Sequence, residues 1–291
     1  MDKFKELFQT YPFNLTNDQL KENLIQIQNK ADKNKTKEAY KLCFSCIDLT
    51  TLNVTDTDES IATMAEKVNQ FKSAYPEMPD VAALCVYPAL VPAMKAALKS
   101  DLPIASVAAG FPASQTFIEI KIAETSMAVM EGAKEIDVVI PVGKFMTDKF
   151  EEIREEIEEI KAACNGAHLK VIIESGALIQ PELIYRASIL SMASGADFIK
   201  TSTGKIPVAA TPEAAWVMCT AIRDWYEKTG DKKGFKAAGG IVTSDEAVTY
   251  YTIVKEILGD TWLNNKLFRI GASRLANNLL SSVYEKEELY F

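Results

Sequence analysis

The 291-residue sequence contains a single histidine, His168. A Ser-His-Asp triad needs a histidine beside its nucleophile. His168 comes just before a predicted strand, at the end of a parallel strand opposite to the one where active sites are built. No histidine pair and no second CxxC motif is present to complete a zinc site. The sequence argues against triad hydrolases and histidine-ligated metals, and we predict neither a metal nor an organic cofactor.

Long apolar runs and an excess of basic residues are also missing. The longest apolar stretch, residues 81–94, is too short to span a bilayer and contains two prolines. The N-terminal stretch MDKFKELFQTYPFNL has no apolar run typical of a signal peptide. The net charge of −8 argues against a nucleic-acid partner, because DNA affinity depends on clustered cationic side chains. We expect a cytoplasmic protein with no membrane and no nucleic-acid partner.

The five cysteines are scattered and odd in number, which argues against a disulfide framework and favours a reducing compartment. Cys43 and Cys46 form a CxxC pair. Reactive pairs of this kind lie at helix N-termini, where the thiolate is stabilised. This pair falls within residues 42–49, which we predict to be a strand, so the two side chains would face opposite sides. We interpret both thiols as structural.

Short apolar runs alternate with amphipathic segments of helical period. Strand then helix, repeated eight times, is typical of a parallel sheet with crossover helices, and eight such units close into a (β/α)8 TIM barrel of the α/β class. An open doubly wound sheet would normally carry a glycine-rich turn after the first strand, where this chain has DLTTLNVTDTDE. The predicted strands are residues 42–49, 81–87, 104–110, 135–140, 169–175, 197–202, 234–239 and 267–272.

The domain organisation predicted from the sequence is simple. There is no linker and no break in composition, so residues 1–291 are predicted to form one domain. Residues 1–38 are predicted to be an N-terminal helical extension. The charged, aromatic-tipped residues 282–291 are predicted to be a mobile tail.

Polar side chains interrupt most of the predicted strands. A barrel interior is normally filled with branched apolar residues, so titratable groups of both signs indicate a site. Lys170 is either a structural partner of a carboxylate or part of that site, and Cys85 is most simply a small buried hydrophobe. Arg269 is expected to be either an outward-facing charge or a charge at the N-terminal end of its strand. The interrupting residues are Asp48, Cys85, Asp137, Lys170, Lys200, Lys236 and Arg269.

Lys200 and Lys236 are the most informative of these residues, because each lies within a short apolar strand. Two like charges in one cavity push each other towards the neutral amine. A neutral lysine attacks a carbonyl and forms a protonated Schiff base, which acidifies the neighbouring carbon. A carboxylate such as Asp137 or Asp48, acting through water, could then shuttle the proton. The segment TSTGK is not a Walker A loop, since Ile199 and Ile206 replace required residues.

Glycines follow the last three predicted strands. Gly204 follows the sixth, Gly239 and Gly240 follow the seventh, and Gly271 with Ser273 follows the eighth. Barrels frequently bind phosphate with the loops after strands seven and eight and a helix N-terminus. The pattern therefore predicts a phosphate site beside the lysines.

Taken together and in order, these motifs resemble the deoxyribose-phosphate aldolase family. The resemblance runs from about residue 46 to residue 280 and rests on DLTTLN, CVYP, EIDVV, LKVIIE, DFIKTSTGK, GFKAAGG and RIGAS. It implies a class I lyase that reversibly splits 2-deoxy-D-ribose 5-phosphate into D-glyceraldehyde 3-phosphate and acetaldehyde, and often a homodimer.

The resemblance also implies roles for individual residues. Lys200 would form the Schiff base, Lys236 would lower the pKa of Lys200, Asp137 would relay protons through a water, and Asp48 would contact sugar hydroxyls or join the relay. Lys170 and Cys85 would line the pocket. The substrate and its phosphate would be surrounded by Thr203, Gly204, Lys205, Gly239, Gly240 and Ser273.

The chain departs from the family pattern at a few positions. Ala237 follows the second lysine where proline is frequent, and Ser114 replaces a common glycine. Arg274 follows Ser273 in place of a small residue, where it either adds a bidentate phosphate contact or crowds the site. Tyr290 is a candidate for a tail tyrosine that reaches the site.

Two other functions stay open from the sequence. One is another lysine aldolase, such as a transaldolase or a ketose-bisphosphate aldolase. The other is a sugar-phosphate-binding barrel without turnover, although two buried lysines would cost such a protein stability.

Overall fold

The centre of the molecule is a closed barrel of parallel strands that pair in chain order, β1 with β2 and onward until β8 meets β1. It is seen in a computed structural model that describes residues 3–291. The predicted (β/α)8 TIM barrel is confirmed. The strands are β1 Ile47–Thr50, β2 Ala83–Val86, β3 Ile104–Val107, β4 Glu135–Val139, β5 His168–Ile172, β6 Phe198–Lys200, β7 Gly234–Ala238 and β8 Phe268–Ala272.

Helices surround the barrel and connect successive strands. Short 3₁₀ turns at Pro88–Leu90 and Asp260–Trp262 add to them. The α-helices are α1 Lys3–Thr10, α2 Asn17–Lys33, α3 Lys37–Ser45, α4 Asp58–Ala74, α5 Val91–Ala97, α6 Ile118–Glu131, α7 Val142–Phe145, α8 Phe150–Ala163, α9 Ser175–Leu178, α10 Pro181–Ala193, α11 Pro212–Thr229, α12 Ser244–Leu258 and α13 Leu275–Tyr284.

The main hydrophobic core lies between the sheet and the helices. Successive residues of a strand face opposite sides, so Ile136 and Val138 of β4 belong to this outer core while Asp137 between them faces the barrel interior. A second, smaller apolar cluster fills the interior near β2 and β3, and it includes Cys85 and Val107. The remaining interior positions are free to carry charged side chains.

Side-chain caps fix the helices that follow the site-bearing strands. Thr211 accepts a hydrogen bond from the Ala214 amide at the start of α11, with Pro212 as the first helical residue. Thr243 and Glu246 form a reciprocal capping box at the start of α12.

The predicted first strand is wrong in its first half. Residues 42–45 form the end of α3, and β1 begins only at Ile47. Cys43 therefore lies in a helix and Cys46 caps its C-terminal end, the end that does not stabilise a thiolate. Burial raises the pKa of the Cys43 thiol and raises that of Cys46 to about 12. The two thiols lie on a helix and its C-cap rather than on the strand that was predicted. Burial disfavours the thiolate form of both, which agrees with the structural role expected for them.

The N-terminal residues form two helices, α1 and α2, with a break over residues 11–16. Thr16 caps α2 through a capping box with Gln19. Asn34 donates a hydrogen bond to the Thr252 hydroxyl on α12 at 3.0 Å, which fastens the end of this segment to the barrel. None of the helices found in residues 3–291 is both long and apolar enough to cross a membrane.

Gly234 opens β7 at a point where the barrel interior has no room for a side chain. It is the register partner of Phe198, and a Cβ at this position would lie 2.2–2.5 Å from three atoms of the Phe198 ring. Phe198 faces the interior two residues before Lys200. The aromatic ring thus takes the volume that Gly234 leaves empty.

We expect Gly234→Ala to lower the free energy of unfolding by about 1–3 kcal/mol, because the new methyl group overpacks the Phe198 ring. Urea unfolding measures the change. Gly143→Ala is the matched control, since the nearest atom to its Cβ is 3.8 Å away. Adding Phe198→Leu to Gly234→Ala should recover part of the loss. Equal stability of Gly234→Ala and the unsubstituted protein would contradict the packing argument.

Candidate active site

The barrel register brings charged residues of neighbouring strands side by side. Lys200 of β6 is the direct partner of Lys236 of β7, and Asp137 of β4 is the partner of Lys170 of β5. All four side chains are buried, with Lys200 the most accessible at 4%. The predicted meeting of these residues is confirmed by the geometry.

Asp137 is the centre of this group. Its Oδ2 accepts hydrogen bonds from Lys200 Nζ and Lys236 Nζ, both at 2.7 Å, and its Oδ1 accepts one from Lys170 Nζ at 3.0 Å. Burial alone would raise the pKa of this carboxyl, but the three ammonium groups outweigh it and hold the pKa well below its usual range. Asp137 is therefore a carboxylate that stabilises positive charge.

Asp48 binds two of the same lysines, Lys236 and Lys170. Its Oδ2 accepts a 2.5 Å hydrogen bond from Lys236 Nζ and lies 3.4 Å from Lys170 Nζ, while its Oδ1 accepts from Arg269 at 2.6 Å. Lys236 is thus held between Asp48 and Asp137. Burial would lower the pKa of Lys236, but the two carboxylates raise it above the ordinary lysine value.

Of the two alternatives for Arg269, the outward-facing one is wrong, and the residue lies near the N-terminal end of β8 as the other one states. Its guanidinium lies inside the barrel, where it binds Asp48 and makes hydrogen bonds of 2.8 and 3.1 Å to Glu135. Glu135 also forms a 2.5 Å ion pair with Lys170. Both alternatives raised for Lys170 hold in part, since it pairs with carboxylates and does so within the site. Glu135 and Arg269 form the floor beneath the reactive residues.

Counting charges in this cluster identifies the lysine that can be neutral. Four cations, Lys170, Lys200, Lys236 and Arg269, face three carboxylates, Asp48, Glu135 and Asp137. With every group ionised, the buried cluster carries one positive charge in excess, which is costly at low dielectric. Loss of one proton from a lysine removes this excess.

The pKa shifts point to Lys200 as that lysine. Burial lowers the pKa of Lys200, Lys236 lowers it further, and the Asp137 carboxylate offsets only part of the change. In contrast, carboxylates hold the pKa values of Lys170, Lys236 and Arg269 above their usual ranges despite burial. The like-charge effect expected of Lys236 has the predicted direction, but burial is the larger cause.

Lys200 lines an open cavity of about 200 Å³ at the C-terminal mouth of the barrel. The other buried charges and Cys85 do not line this cavity, and Cys85 packs in the small apolar interior cluster. The predicted site residues on its wall are Lys200, Thr203, Gly204, Lys205, Gly239, Gly240, Gly271, Ser273 and Arg274.

The glycine loops after β6 and β7 approach each other closely across this cavity. Gly204 and Gly239 have φ angles of +73° and +89°, and a Cβ on Gly239 would lie 3.0 Å from the Gly204 Cα. Only glycine takes this backbone without strain at such a contact. Within the part of the chain that the structure describes, the amides of Gly204, Gly239 and Gly240 donate to no protein acceptor. These free N–H groups suit an anionic oxygen.

Gly271 of β8 leaves space for the second lysine. A Cβ on Gly271 would lie 3.2 Å from Lys236 Cε and 2.9 Å from the Ala238 Cβ. Because Gly271 has no side chain, the Lys236 side chain can pass it and reach both Asp48 and Asp137.

Several residues of the site were given no role from the sequence, although Glu174 is recognisable there as a polar residue at the end of an apolar strand. Glu174, at the end of the predicted fifth strand, has a left-handed φ of +51° and is buried. Its carboxylate accepts hydrogen bonds from the Thr203 amide at 3.1 Å and the Thr203 hydroxyl at 2.6 Å, which fixes the loop after β6. Thr50 at the end of β1, and Leu52 and Asn53 in the loop after it, also line the cavity. Their position at the C-terminal end of the first predicted strand was the available signal.

The departures from the family pattern have separate outcomes. Ala237 is buried in the outer core rather than in the site. Ser114 accepts a hydrogen bond from Lys121, outside the catalytic cavity. Arg274 lines the cavity, as both alternatives for it require. Tyr290 does not line it, since its hydroxyl donates to the Lys67 carbonyl at 2.7 Å.

Comparison with known proteins agrees with this site. Residues 43–256 match the family model described as DeoC/LacD family aldolase. The chain is similar to the deoxyribose-phosphate aldolases of Homo sapiens (43% identity) and Bos taurus (42%), each match covering 89% of this chain and 86% of the relative.

The fold is also found among solved structures. A tetrameric deoxyribose phosphate aldolase from Aeropyrum pernix superposes with a TM-score of 0.68 at 24% identity, covering 88% of this chain and 96% of that one. At this identity the match supports the barrel alone. The sequence matches go further, and the chain belongs to the DeoC/LacD family of aldolases.

Proposed function

We propose that this protein is a deoxyribose-phosphate aldolase that cleaves 2-deoxy-D-ribose 5-phosphate through a Schiff base on Lys200. The family membership and the named relatives support an aldolase acting on a phosphorylated sugar. The observation that carries the mechanism is Lys200 itself. It is the one of four clustered cations whose pKa is lowered, and it lies at the wall of the open cavity.

The first step follows from the charge balance of the cluster. Neutral Lys200 attacks the C1 aldehyde to give a carbinolamine, and uptake of one proton with loss of water gives a protonated Schiff base. This step returns a positive charge to the Lys200 nitrogen, 2.7 Å from the Asp137 carboxylate. Asp137 is thus placed to stabilise the iminium ion as it forms.

Bond cleavage uses the iminium ion as an electron sink. As the C3 hydroxyl loses its proton, the C2–C3 electron pair moves towards the iminium, which releases glyceraldehyde 3-phosphate and leaves an enamine on Lys200. Protonation at C2 and hydrolysis then release acetaldehyde. We assign the proton relay to Asp137 acting through a water, with Lys236 as a proton donor held between Asp137 and Asp48.

The phosphate is assigned to the rim of the same cavity. The free amides of Gly204, Gly239 and Gly240 face it, and Ser273 and Arg274 lie at the start of α13. Because a dianion gains from backbone N–H groups and a helix N-terminus, this rim would hold the phosphate end while C1 reaches Lys200. A homodimer, a cytoplasmic location and independence from metals and cofactors stay predictions.

We expect Lys200→Leu to lower the rate of acetaldehyde release from 2-deoxy-D-ribose 5-phosphate by at least about a thousandfold, because no Schiff base can form without the amine. The variant should unfold at an equal or higher denaturant concentration, since it replaces a buried amine, which is costly to desolvate, with an apolar side chain. Lys266→Leu, on an exposed lysine before β8, is the control and should keep full activity. Turnover by Lys200→Leu near the level of this control would refute the aldolase mechanism.

We expect Lys236→Leu to move the pH–rate profile to higher pH. Lys236 lowers the pKa of Lys200 and shares the Asp137 carboxylate with it, so removing Lys236 raises the pKa of Lys200. Because only neutral Lys200 attacks, the rise in rate with pH should then begin at higher pH. Residual activity of Lys236→Leu, measured across pH beside Lys266→Leu, gives the shift. An unchanged profile would contradict the like-charge effect.

A further inference from the structure

A second polar cavity lies outside the barrel, away from the catalytic one. It has a volume of about 290 Å³ and shares no lining residue with the cavity at Lys200. It lies where the loops after β3 and β4 meet the helices α6 and α8. The mechanism proposed above uses none of its side chains.

Lys121 of α6 is the most unusual residue of this cavity. It is 1% exposed, and in the described part of the chain it is the one buried lysine outside the barrel interior. Its ammonium donates to Ser114 Oγ at 2.8 Å and to Glu156 of α8. These two acceptors use two of its three hydrogens, so within residues 4–291 one N–H is left for a ligand.

Ser114 has a left-handed backbone conformation, which glycine adopts more easily than serine. Its φ is +59°, in the left-handed region, which costs a residue with a Cβ about 1–2 kcal/mol. The hydroxyl of Ser114 is buried and bonded to Lys121. The strained serine therefore adds a polar group to this cavity.

The charges around the cavity leave a positive excess. Lys121, Lys144 and Lys149 line it, together with Glu156. Glu156 is paired with Lys121 and, at 3.4 Å, with Lys144, while Glu152 lies 3.1 Å from Lys144 and 3.4 Å from Lys149. Among the lining residues themselves, three lysines face one carboxylate, and Glu152 pairs with two of these lysines from outside the wall. The wall of the cavity thus offers more ammonium groups than carboxylates, which suits an anion.

The remaining wall offers hydrogen-bonding groups. Gln115, Thr116 and Thr147 line the cavity, and the side chains of Gln115 and Thr116 donate to no acceptor among the described residues. Burial lowers the pKa of Lys121 despite its Glu156 partner, so an added negative charge would stabilise its ammonium form. Several donors around a positive centre suit an anion with several oxygens.

We propose that this cavity, lined by Ser114, Lys121, Lys144 and Lys149, is a second anion site that binds phosphate or a phosphate monoester. It is separate from the catalytic cavity, and the proposal stands whether or not the aldolase mechanism is correct. The buried Lys121–Ser114 pair supplies a fixed donor. The exposed Lys144 and Lys149 supply the charge that attracts the anion.

Spectra of protein labelled with ¹⁵N-threonine test both cavities in one titration with inorganic phosphate. The Thr116 and Thr147 amides report on the proposed site, and the Thr203 amide reports on the catalytic loop. We expect the first two signals to shift and to saturate at millimolar phosphate, while chloride at matched ionic strength leaves them in place. A parallel titration with glycerol 3-phosphate shows whether a monoester binds more tightly than the free ion.

The double variant Lys144→Gln/Lys149→Gln provides the structural control. Both residues are solvent-accessible at their ends, so the fold should be retained, and the cleavage rate should be unchanged. Phosphate binding at Thr116 and Thr147 should weaken by about tenfold or more, and the Thr203 response should persist. Non-saturating shifts, shifts equal to those from chloride, or full binding by the double variant would overturn the proposal.

Discussion

Three buried lysines share one carboxylate, and the barrel interior is organised around that contact. Asp137 binds Lys170, Lys200 and Lys236 at 2.7 to 3.0 Å. A single carboxylate cannot neutralise three ammonium groups. Asp48 and Glu135 therefore complete the balance, and Arg269 restores an excess of one positive charge. Lys200 can relieve that excess because it lies at the open edge of the cluster.

Burial of apolar side chains in the outer hydrophobic core offsets the free-energy cost of the charged barrel interior. Strands β1 and β4 to β8 point their buried charged side chains inwards and pack apolar side chains outwards against the helices, while the interior faces of β2 and β3 are apolar. The stability of the barrel thus depends mainly on contacts that are not part of the site. The interior can then hold a charge imbalance, which is what a lysine nucleophile requires.

The sequence predicted the barrel and the reactive lysines for a physical reason. When a lysine or aspartate lies within a short strand whose other side chains pack against the helices, its own side chain must face the barrel interior. This pattern predicts Lys200, Lys236 and Asp137 as site residues. Arg269 follows the same rule. Its neighbours Phe268 and Ile270 face the outer core, so Arg269, which lies between them, faces the interior together with Gly271. That alternation was the signal that the prediction of an outward side chain ignored.

Other features depend on contacts that a linear sequence does not show. The mostly apolar residues at the end of α3, which include Cys43, suit a strand equally well. Only packing against the rest of the protein decides that they form a helix. Glu174 acts through Thr203, which is 29 residues away. Tyr290 contacts the Lys67 carbonyl, which no local pattern predicts.

Trapping of the covalent intermediate tests the central claim most directly. The protein is incubated with acetaldehyde, reduced with borohydride, and digested for peptide mass spectrometry. We predict an ethyl group on Lys200, since that is the buried amine that the charge balance leaves neutral. An adduct on Lys236 or Lys205 would show that the charge argument selects the wrong lysine. The absence of any adduct in folded protein would contradict Schiff-base chemistry altogether.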